Sequence, residues 1–281
     1  MSVDLNIDGF DIEVRVSALD SLKRHESVVD SYLEDLRDSL EEKSIISDPV
    51  IVDRNSNVVL DGMHRLEAVS KLGYDKIPVC FVDYQSSRIK LGTWWRKFED
   101  LGMDTLVGIA EDLGFEMEHS NSEKIEERIE NRNLDLYFVS GDNLLKTKSV
   151  FDSIHTLFDS VHSLENEIVE NSFDLSYEPD GDFLKSLESG DTWILFPSAE
   201  KKEVLQLSDM GEVFPHKTTR HVLPARPLGI DVPLSWLDEE LDEVNDNLEE
   251  KLKRMNLREV SPGSQFRGRK YKEKVVTFEK N

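Results

Sequence analysis

The sequence predicts a mixed α+β protein. Short runs of β-branched residues alternate along the chain with stretches of helical periodicity. A length of 281 residues suits one large domain or two modest lobes with a real hydrophobic core. The hydrophobic share of 38% and the charged share of 33% are typical of a globular protein with a heavily charged surface.

Residues 49–84 carry the clearest pattern. Two β-branched runs around a turn-like pentapeptide, a helical stripe and a third apolar run predict four elements: strands at Val50–Val52 and Val58–Leu60, a helix opened by His64 and Arg65 and ended by Gly73, and a strand at Ile77–Val82. Asp61 and Gly62 join the second strand to the helix. The first N–H groups of a helix lack an intrahelical acceptor, so this junction predicts an anion site to which Arg65 adds charge.

Asp61 does not suit a simple anion pocket, because its carboxylate would repel a phosphate. Its position is explained if a metal ion or a hydroxyl proton is also bound nearby. The alternative is that Asp61 only caps the helix and that His64 and Arg65 are surface residues. The spacing of these residues does not separate the two interpretations.

The rest of the chain gives further elements in order. Phe10–Val16 alternates apolar and charged residues, which predicts a strand, and apolar positions from Val28 to Leu40 predict a helix. His25 and Glu26 lie just before or within the first turn of that helix, where a glutamate is ordinarily explained by the helix dipole. Later patterns predict strands at Leu134–Val139 and Thr192–Phe196, an amphipathic helix within 150–168 and an acidic helix after residue 238.

Bulk properties narrow the function. The net charge of −24 repels DNA phosphates and weighs against non-specific nucleic-acid binding, and such acidity is also typical of proteins from a salt-rich cytoplasm. Cys80 is the only cysteine, which excludes an internal disulfide and a cysteine-based zinc cluster, and its apolar strand indicates an inert buried thiol. The start has no basic, apolar leader and no segment suits a bilayer span, so we expect a cytoplasmic protein.

A second informative stretch covers residues 211–237. Its four prolines favour extended chain and loop over a long helix. Basic and hydroxyl side chains cluster within it in an otherwise acidic protein: Lys217, Thr218, Thr219, Arg220, His221 and Arg226. Such a loop suits a carboxylate or a phosphate, because arginine binds either group through two hydrogen bonds. A basic loop paired with the protein's many acids is the alternative.

Two smaller features concern aromatic rings. Trp94 and Trp95 lie beside basic residues, so either ring suits stacking on a base or lining a substrate pocket, with packing between lobes as the alternative. His155 and His162 lie seven residues apart on the predicted 150–168 helix. We interpret them as partly buried rather than metal-bound, because no nearby carboxylate or third histidine completes a ligand set.

The sequence DGMHR at residues 61–65, after two short strands and before LG and IPVCFVDY, resembles the turn of the ParB/sulfiredoxin-like superfamily. Within that superfamily it is most similar to the archaeal free L-serine kinases, whose motif reads DGHHR. Met63 replaces the first histidine of the motif and His64 keeps the second. Residues 217–226 are similar to a K-[ST]-T-R-H-x-x-P-x-R segment of the same kinases. Sulfiredoxin chemistry is not expected, because Met63 stands where those reductases use a cysteine.

The resemblance implies a kinase that phosphorylates free L-serine with ADP or ATP and Mg²⁺, giving O-phospho-L-serine for cysteine biosynthesis. Glu26 is the matching general base, and Asp61 holds Mg²⁺ or assists Glu26. The implied ligand contacts are Gly62, Met63, His64 and Arg65 for the nucleotide phosphates, and Lys217, Thr218, Thr219, Arg220, His221 and Trp95 for the substrate. The implied partners are a nucleotide and serine, with no nucleic acid and no membrane.

The resemblance also implies a domain order. A ParB-like nucleotide-binding lobe occupies 1–98, a second α/β lobe with the loop 215–227 occupies 99–245, and a helix end with a basic tail occupies 246–281. The tail suits a disordered arm, a strand through 275–278 or an anion contact, and the sequence does not choose among them.

Two other functions stay open. A ParB-type nucleotide-binding regulator or DNA-binding module would carry a basic helix-turn-helix after the first lobe, whereas the region after Phe98 is acid-rich. A sensor that keeps the fold without activity is the other possibility, and Met63 is its only warning sign.

Overall fold

A computed structural model describes residues 2–181, 183–188, 190–267, 269–271 and 273–280. It confirms the mixed α+β class. The chain divides into two compact units. Unit 1 comprises residues 1–90, 204–213 and 221–281, and unit 2 comprises residues 91–203 and 214–220.

The helices of the described residues are α1 Asp30–Lys43, α2 Met63–Lys71, α3 Met103–Asp112, α4 Ser122–Glu130, α5 Ile154–Glu170, α6 Phe183–Glu188, α7 Lys201–Asp209 and α8 Leu241–Lys253. Short 3₁₀ turns occupy Leu19–Ser21 and Leu234–Asp238.

The strands are β1 Val3–Ile7, β2 Phe10–Ala18, β3 Ile45–Ile46, β4 Val50–Asp53, β5 Val59–Asp61, β6 Lys76–Val82, β7 Lys90–Gly92, β8 Trp94–Phe98, β9 Met117–His119, β10 Tyr137–Ser140, β11 Asn143–Thr147, β12 Leu175–Pro179, β13 Thr192–Leu195, β14 Arg220–Val222, β15 Ala225–Leu228, β16 Val232–Pro233, β17 Met255–Val260, β18 Gln265–Phe266, β19 Arg269–Lys270 and β20 Lys274–Lys280.

Unit 1 is built on a five-stranded mixed sheet in the order β1-β2-β6-β4-β5. Only β4 and β6 pair in parallel, and the other neighbours are antiparallel. The alternation predicted for β2 is present, because Ile12, Val14 and Val16 are buried between more exposed charged residues. Helices α1, α2 and α8 contribute leucines to the same apolar core, so the strand–turn–helix junction at Asp61 rests on a packed base.

The C-terminal segment also belongs to unit 1. Strands β15, β20 and β17 form a three-stranded sheet in which β20 lies in the middle, parallel to β15 and antiparallel to β17. Of the three possibilities for the tail, the structure therefore shows a strand through residues 275–278. Lys272 lies outside the described residues.

Unit 2 is built on a six-stranded antiparallel sheet in the order β12-β8-β13-β10-β11-β9. Helix α5 starts at Ile154, inside the predicted range, because Ser153 and Thr156 form a capping box there. Its apolar stripe is buried, as the sequence predicts: Leu157, Phe158, Val161, Leu164 and Ile168.

The compact units differ from the predicted domain segments. The first boundary falls at residue 90 rather than 98, residues 221–281 belong to unit 1, and the loop 215–227 is divided between the units after Arg220. The prediction followed chain order, whereas the chain returns to unit 1 twice, and an extended Pro-rich loop carries no signal of which core its ends will join. In the described part of the chain, no helix has both the length and the apolar character needed to cross a bilayer.

Candidate active site

The junction between β5 and α2 is built around Gly62. Its φ of +98° lies in the left-handed region, and a Cβ there would be 2.8 Å from Val50 Cγ1. Only glycine therefore fits the turn that starts α2. Met63 is buried in the apolar core of unit 1, so its side chain serves packing and its backbone N–H is what it can offer a ligand.

Asp61 is the carboxylate at this junction, and two arginines hold one of its oxygens. Oδ2 accepts hydrogen bonds from Arg65 at 2.9 Å and from Arg226 at 2.7 Å. Arg226 also donates through Nε to Glu273 Oε1 at 2.8 Å. We call these four residues, Asp61, Arg65, Arg226 and Glu273, the Asp61 cluster. The Asp61 side chain is 38% exposed, so a ligand can reach it.

The buried ring of His25 interacts electrostatically with both predicted catalytic acids, Glu26 and Asp61. Its ring is buried, and Nδ1 is 2.6 Å from the carbonyl oxygen of Val59, on the strand that ends at Asp61. Burial lowers the pKa of His25, while the charges of Glu26 and Asp61 and the Val59 carbonyl oppose that shift. The neutral ring therefore donates its Nδ1 proton to Val59, and both carboxylates act on one imidazole. Glu26 itself lies four residues before α1.

His221 reaches the same part of unit 1 from the far end of the chain. Its Nε2 is 2.8 Å from the Tyr84 hydroxyl, and its ring meets His25 edge-on with centroids 5.2 Å apart. Burial raises the pKa of Tyr84, so the hydroxyl that hydrogen-bonds His221 stays protonated. The His25–Glu26 pair, the Asp61 turn and the His221–Arg226 segment thus converge in unit 1.

His64 follows Met63 on α2 and contacts the start of α1. Its Nε2 is 3.0 Å from the backbone N–H of Val29, the residue that precedes α1. Because that N–H donates, Nε2 is the acceptor and the neutral ring carries its proton on Nδ1. His64 is therefore one link that fixes the segment carrying Glu26 against the start of α2.

In unit 2, the loop 214–220 is hydrogen-bonded to Thr93 and Trp94, at the start of β8. The hydroxyl of Thr93 donates to Thr218 O at 2.8 Å, and the indole of Trp94 donates to Thr219 O at 3.2 Å. Lys217 adopts a φ of +59°, and its ammonium lies over the Trp94 ring, 5.3 Å from the centroid. The basic side chain and the aromatic face are thus presented together.

Two predicted substrate residues of this loop have structural partners. Thr218 is fully buried, and its hydroxyl donates to Pro215 O at 2.6 Å, so its side chain shapes the turn. Arg220 pairs with Asp180 at 2.8 Å. Gly92 lies against that pair, and a Cβ there would be 2.5 Å from Asp180 Oδ1, so a larger residue would displace the Asp180 carboxylate.

The aromatic assignment shifts by one residue. Trp95, predicted to contact substrate, is 2% exposed, and its indole donates to Phe196 O at 3.0 Å inside unit 2. Trp94, the other indole that the sequence offers, faces Lys217 and Thr219. Alternate residues of a strand point to opposite faces, and the sequence does not reveal which face of β8 is the inner one.

A second ionic group lies under the loop, and we call it the Glu165 cluster: Arg96, Glu165, Tyr177 and His216. Glu165 accepts from Arg96 at 2.8 Å and from the Tyr177 hydroxyl at 2.5 Å, and its Oε1 is 3.3 Å from His216 Nε2. Burial by itself would raise the pKa of Glu165, but the hydrogen bonds and the Arg96 charge bring it down to about 2. Arg96 also donates to the carbonyl oxygens of His216 and Lys217, so this cluster supports the loop.

The Glu165 cluster corrects one interpretation of the sequence. The prediction that no nearby carboxylate or third histidine completes a ligand set is wrong for His162. His162, Glu165 and His216 each bring a ligand atom within 4.8 Å of the others. Glu165 is, however, already engaged by Arg96 and Tyr177, and the Arg96 charge opposes a cation there.

The chain is similar in sequence to L-serine kinases over most of its length. No protein family model matches it. An ATP-dependent L-serine kinase of Staphylothermus marinus is 28% identical over 226 residues, covering 78% of this chain and 89% of the relative. The ADP-dependent L-serine kinase SerK of Thermococcus kodakarensis is 29% identical over 226 residues, covering 78% and 90%.

The fold gives the same answer. A solved free serine kinase, a point mutant in complex with AMP, matches with a TM-score of 0.69 and 27% identity over 80% of this chain and 93% of that one. In sequence and in fold, the chain is similar to free serine kinases. Its paired strands and helix lie where the motif predicted them.

The sequence singles out the motif residues but not the side chains that the structure places beside them. Glu26, Asp61, Gly62, Arg65 and His221 all lie in unit 1, where the structure brings their segments together. Arg226 was noticed only as part of a basic loop, and Tyr84 and Glu273 were not noticed. Motif positions are visible in a sequence, but an ion pair between residues 165 positions apart leaves no spacing signal.

Proposed function

We propose that this free serine kinase transfers a phosphoryl group from ADP or ATP to the hydroxyl of free L-serine, with Glu26 and Asp61 at the reacting centre. The observation that carries the proposal is the convergence in unit 1 of the His25–Glu26 pair, the Asp61 turn and the His221–Arg226 segment. Relatives named for each of the two donors match at nearly equal identity, so both nucleotides belong in the test.

The phosphates bind at the start of α2. The backbone N–H groups after Gly62 and the positive end of the helix dipole attract the anionic end of the nucleotide, and the Arg65 guanidinium adds a full charge. A neutral His64 donates from Nδ1 to a phosphate oxygen. These groups neutralise charge and hold the donor in line, which is the main source of rate enhancement in phosphoryl transfer.

The serine hydroxyl, which accepts the phosphoryl group, is activated by the carboxylate of Glu26. Glu26 takes the serine hydroxyl proton as the bond from oxygen to phosphorus forms and the bond to the bridging oxygen of the nucleotide breaks. The products are O-phospho-L-serine and AMP or ADP, with the proton left on Glu26. Lys217, Thr219 and Arg220 are the proposed contacts for the substrate carboxylate, with Trp94 as the aromatic wall; the product then suits cysteine synthesis.

Mg²⁺ fits Asp61 with one restriction. Mg²⁺ is usually bound by one or two carboxylates together with substrate phosphates and water, and Asp61 is a half-exposed carboxylate beside the phosphate site. Its Oδ2 accepts from Arg65 and Arg226, so the metal would share this carboxylate with two guanidinium groups. When bound, the ion neutralises charge on the transferred phosphoryl group.

The function is tested by incubating the protein with single free amino acids, Mg²⁺ and either ADP or ATP, with mass detection of phosphorylated products. We expect phosphoserine with at least one donor, and loss of product on chelation of Mg²⁺. A protein that phosphorylates no amino acid but retains DNA on a filter would be a ParB-type regulator, and the proposal would then be wrong.

The catalytic assignment is tested by Glu26→Gln and Asp61→Asn. Each should lower the kcat for phosphoserine formation by about 10²- to 10⁴-fold, the range typical of a lost acid–base group, while circular dichroism stays unchanged. Asp35→Asn, an exposed residue on α1, is the charge-matched control and should keep wild-type turnover. Wild-type kcat in either Glu26→Gln or Asp61→Asn would remove that residue from the mechanism.

A further inference from the structure

Glu273 on the C-terminal segment lies two contacts away from the predicted catalytic centre. Its Oε1 accepts from Arg226 Nε at 2.8 Å, and Arg226 NH1 reaches Asp61 Oδ2 at 2.7 Å. The side chains of Arg226 and Glu273 are only 10% and 14% exposed, so neither is a freely moving surface group. The contact is therefore part of the packed structure of unit 1.

The sheet fixes where Glu273 stands. It immediately precedes β20, which runs parallel to β15, and Arg226 of β15 is opposite Val275 in the register. Strand β15 thus supplies the arginine, and the residue just before its neighbour β20 supplies the acid. The C-terminal tail, to which the sequence assigned no function, thus carries one of the two carboxylates that bind Arg226.

The charge balance of the Asp61 cluster explains why an acid is needed at position 273. The Asp61 cluster contains two guanidiniums and two carboxylates, so it is neutral. Burial disfavours the charged form of Arg226, and Asp61 and Glu273 together outweigh that penalty and raise the pKa of Arg226. Without Glu273, Arg226 would give its whole charge to Asp61 and lose the contact that orients its guanidinium.

We infer that Glu273 is a positioning residue for Asp61: it fixes Arg226, which in turn fixes and shares the carboxylate of Asp61. This rests on the proposed function, because it assigns Glu273 to the reaction that Asp61 serves. Glu273 does not touch the substrate. Its effect passes through Arg226 alone, which makes the inference testable by a mutant cycle.

The cycle uses Glu273→Gln, Arg226→Met and the double variant. Glu273→Gln should lower kcat for phosphoserine formation roughly five- to thirtyfold, the size typical of coupled ionic neighbours, and leave KM for the nucleotide unchanged. In the Arg226→Met background it should have no further effect on kcat. Glu279→Gln is the matched control, because Glu279 lies on β20 and pairs with Arg258 on the exposed surface.

The outcomes separate the inference from the proposed function. Equal kcat losses for Glu273→Gln in both backgrounds, or a loss equal to that of Glu279→Gln, would overturn the positioning role while leaving the kinase standing. If wild type phosphorylates no acceptor, the function fails, and the contact is judged by ¹⁵N NMR. Slow solvent exchange of the Arg226 Nε proton that becomes fast in Glu273→Gln supports it, and fast exchange in wild type refutes it.

Discussion

The Asp61 cluster and the Glu165 cluster are built from the same parts, a carboxylate held by arginine with further polar groups around it. They differ in how much of the carboxylate water reaches. The Asp61 side chain is 38% exposed, whereas that of Glu165 is 4% exposed and its Arg96 partner is fully buried. An exposed acid is available to a metal or a substrate, while a buried one is fully used by its own partners.

The arginines of the two clusters also donate their hydrogen bonds to different kinds of acceptor. Arg96 donates to Glu165 and to the backbone carbonyls of Trp94, His216 and Lys217, so the Glu165 cluster shapes a loop. Arg226 donates to two side-chain carboxylates, so the Asp61 cluster sets the position and charge of acids. Burial and hydrogen-bond partners, more than residue type, thus distinguish the two clusters.

The largest difference expected between the two clusters is in how much each carboxylate contributes to stability. Glu165→Gln leaves the Arg96 charge buried and uncompensated, which should lower the free energy of unfolding by about 3–5 kcal/mol. Asp61→Asn changes a carboxylate that is 38% exposed and leaves Arg226 paired with Glu273, so it should cost about 1 kcal/mol or less. Urea unfolding followed by fluorescence measures both changes. Equal losses in the two variants would contradict the contrast drawn from burial.

The contribution of Glu165 to stability should also depend on pH. The folded pKa of Glu165, about 2, lies below the ordinary value of 4.5, so its contribution to stability is complete above about pH 4.5 and disappears as the pH falls toward 2. The difference in urea midpoint between wild type and Glu165→Gln should therefore shrink as the pH is lowered through that window. A difference that stays constant would show that Glu165 is not held ionised by its partners.

A smaller effect is expected at the turn that carries Asp61. Gly62→Ala forces a side chain into the left-handed region at a cost of about 1–2 kcal/mol, and its Cβ would also approach Arg65 NH2 to 3.0 Å and displace it from Asp61. Gly73→Ala is the control, because its φ is +88° but its Cβ would meet nothing within 4 Å. Both variants should lose stability, and only Gly62→Ala should lose phosphoserine formation. Equal activity in the two would separate the Gly62 turn from catalysis.

Much of unit 1 was predictable from sequence because its signals are local. Strands β4, β5 and β6 and helix α2 lie within a residue or two of the predicted bounds, since β-branched runs and an apolar stripe report their own conformation. The strand predicted at Leu134–Val139 instead begins at Tyr137, because an apolar run does not show where pairing with β11 and β13 starts. Trp94 and Trp95 were not separated for a related reason: both faces of β8 carry large side chains.

The sequence by itself determined the fold class, the Asp61–Gly62 turn and the resemblance to a kinase family, because a left-handed glycine, an apolar period and a short motif are all properties of neighbouring residues. Only the tertiary structure decided that Arg226 binds both Asp61 and Glu273, that Trp94 rather than Trp95 faces the loop, and that residues 221–281 complete unit 1. Those facts depend on contacts between distant parts of the chain, and such contacts are fixed by packing rather than by spacing.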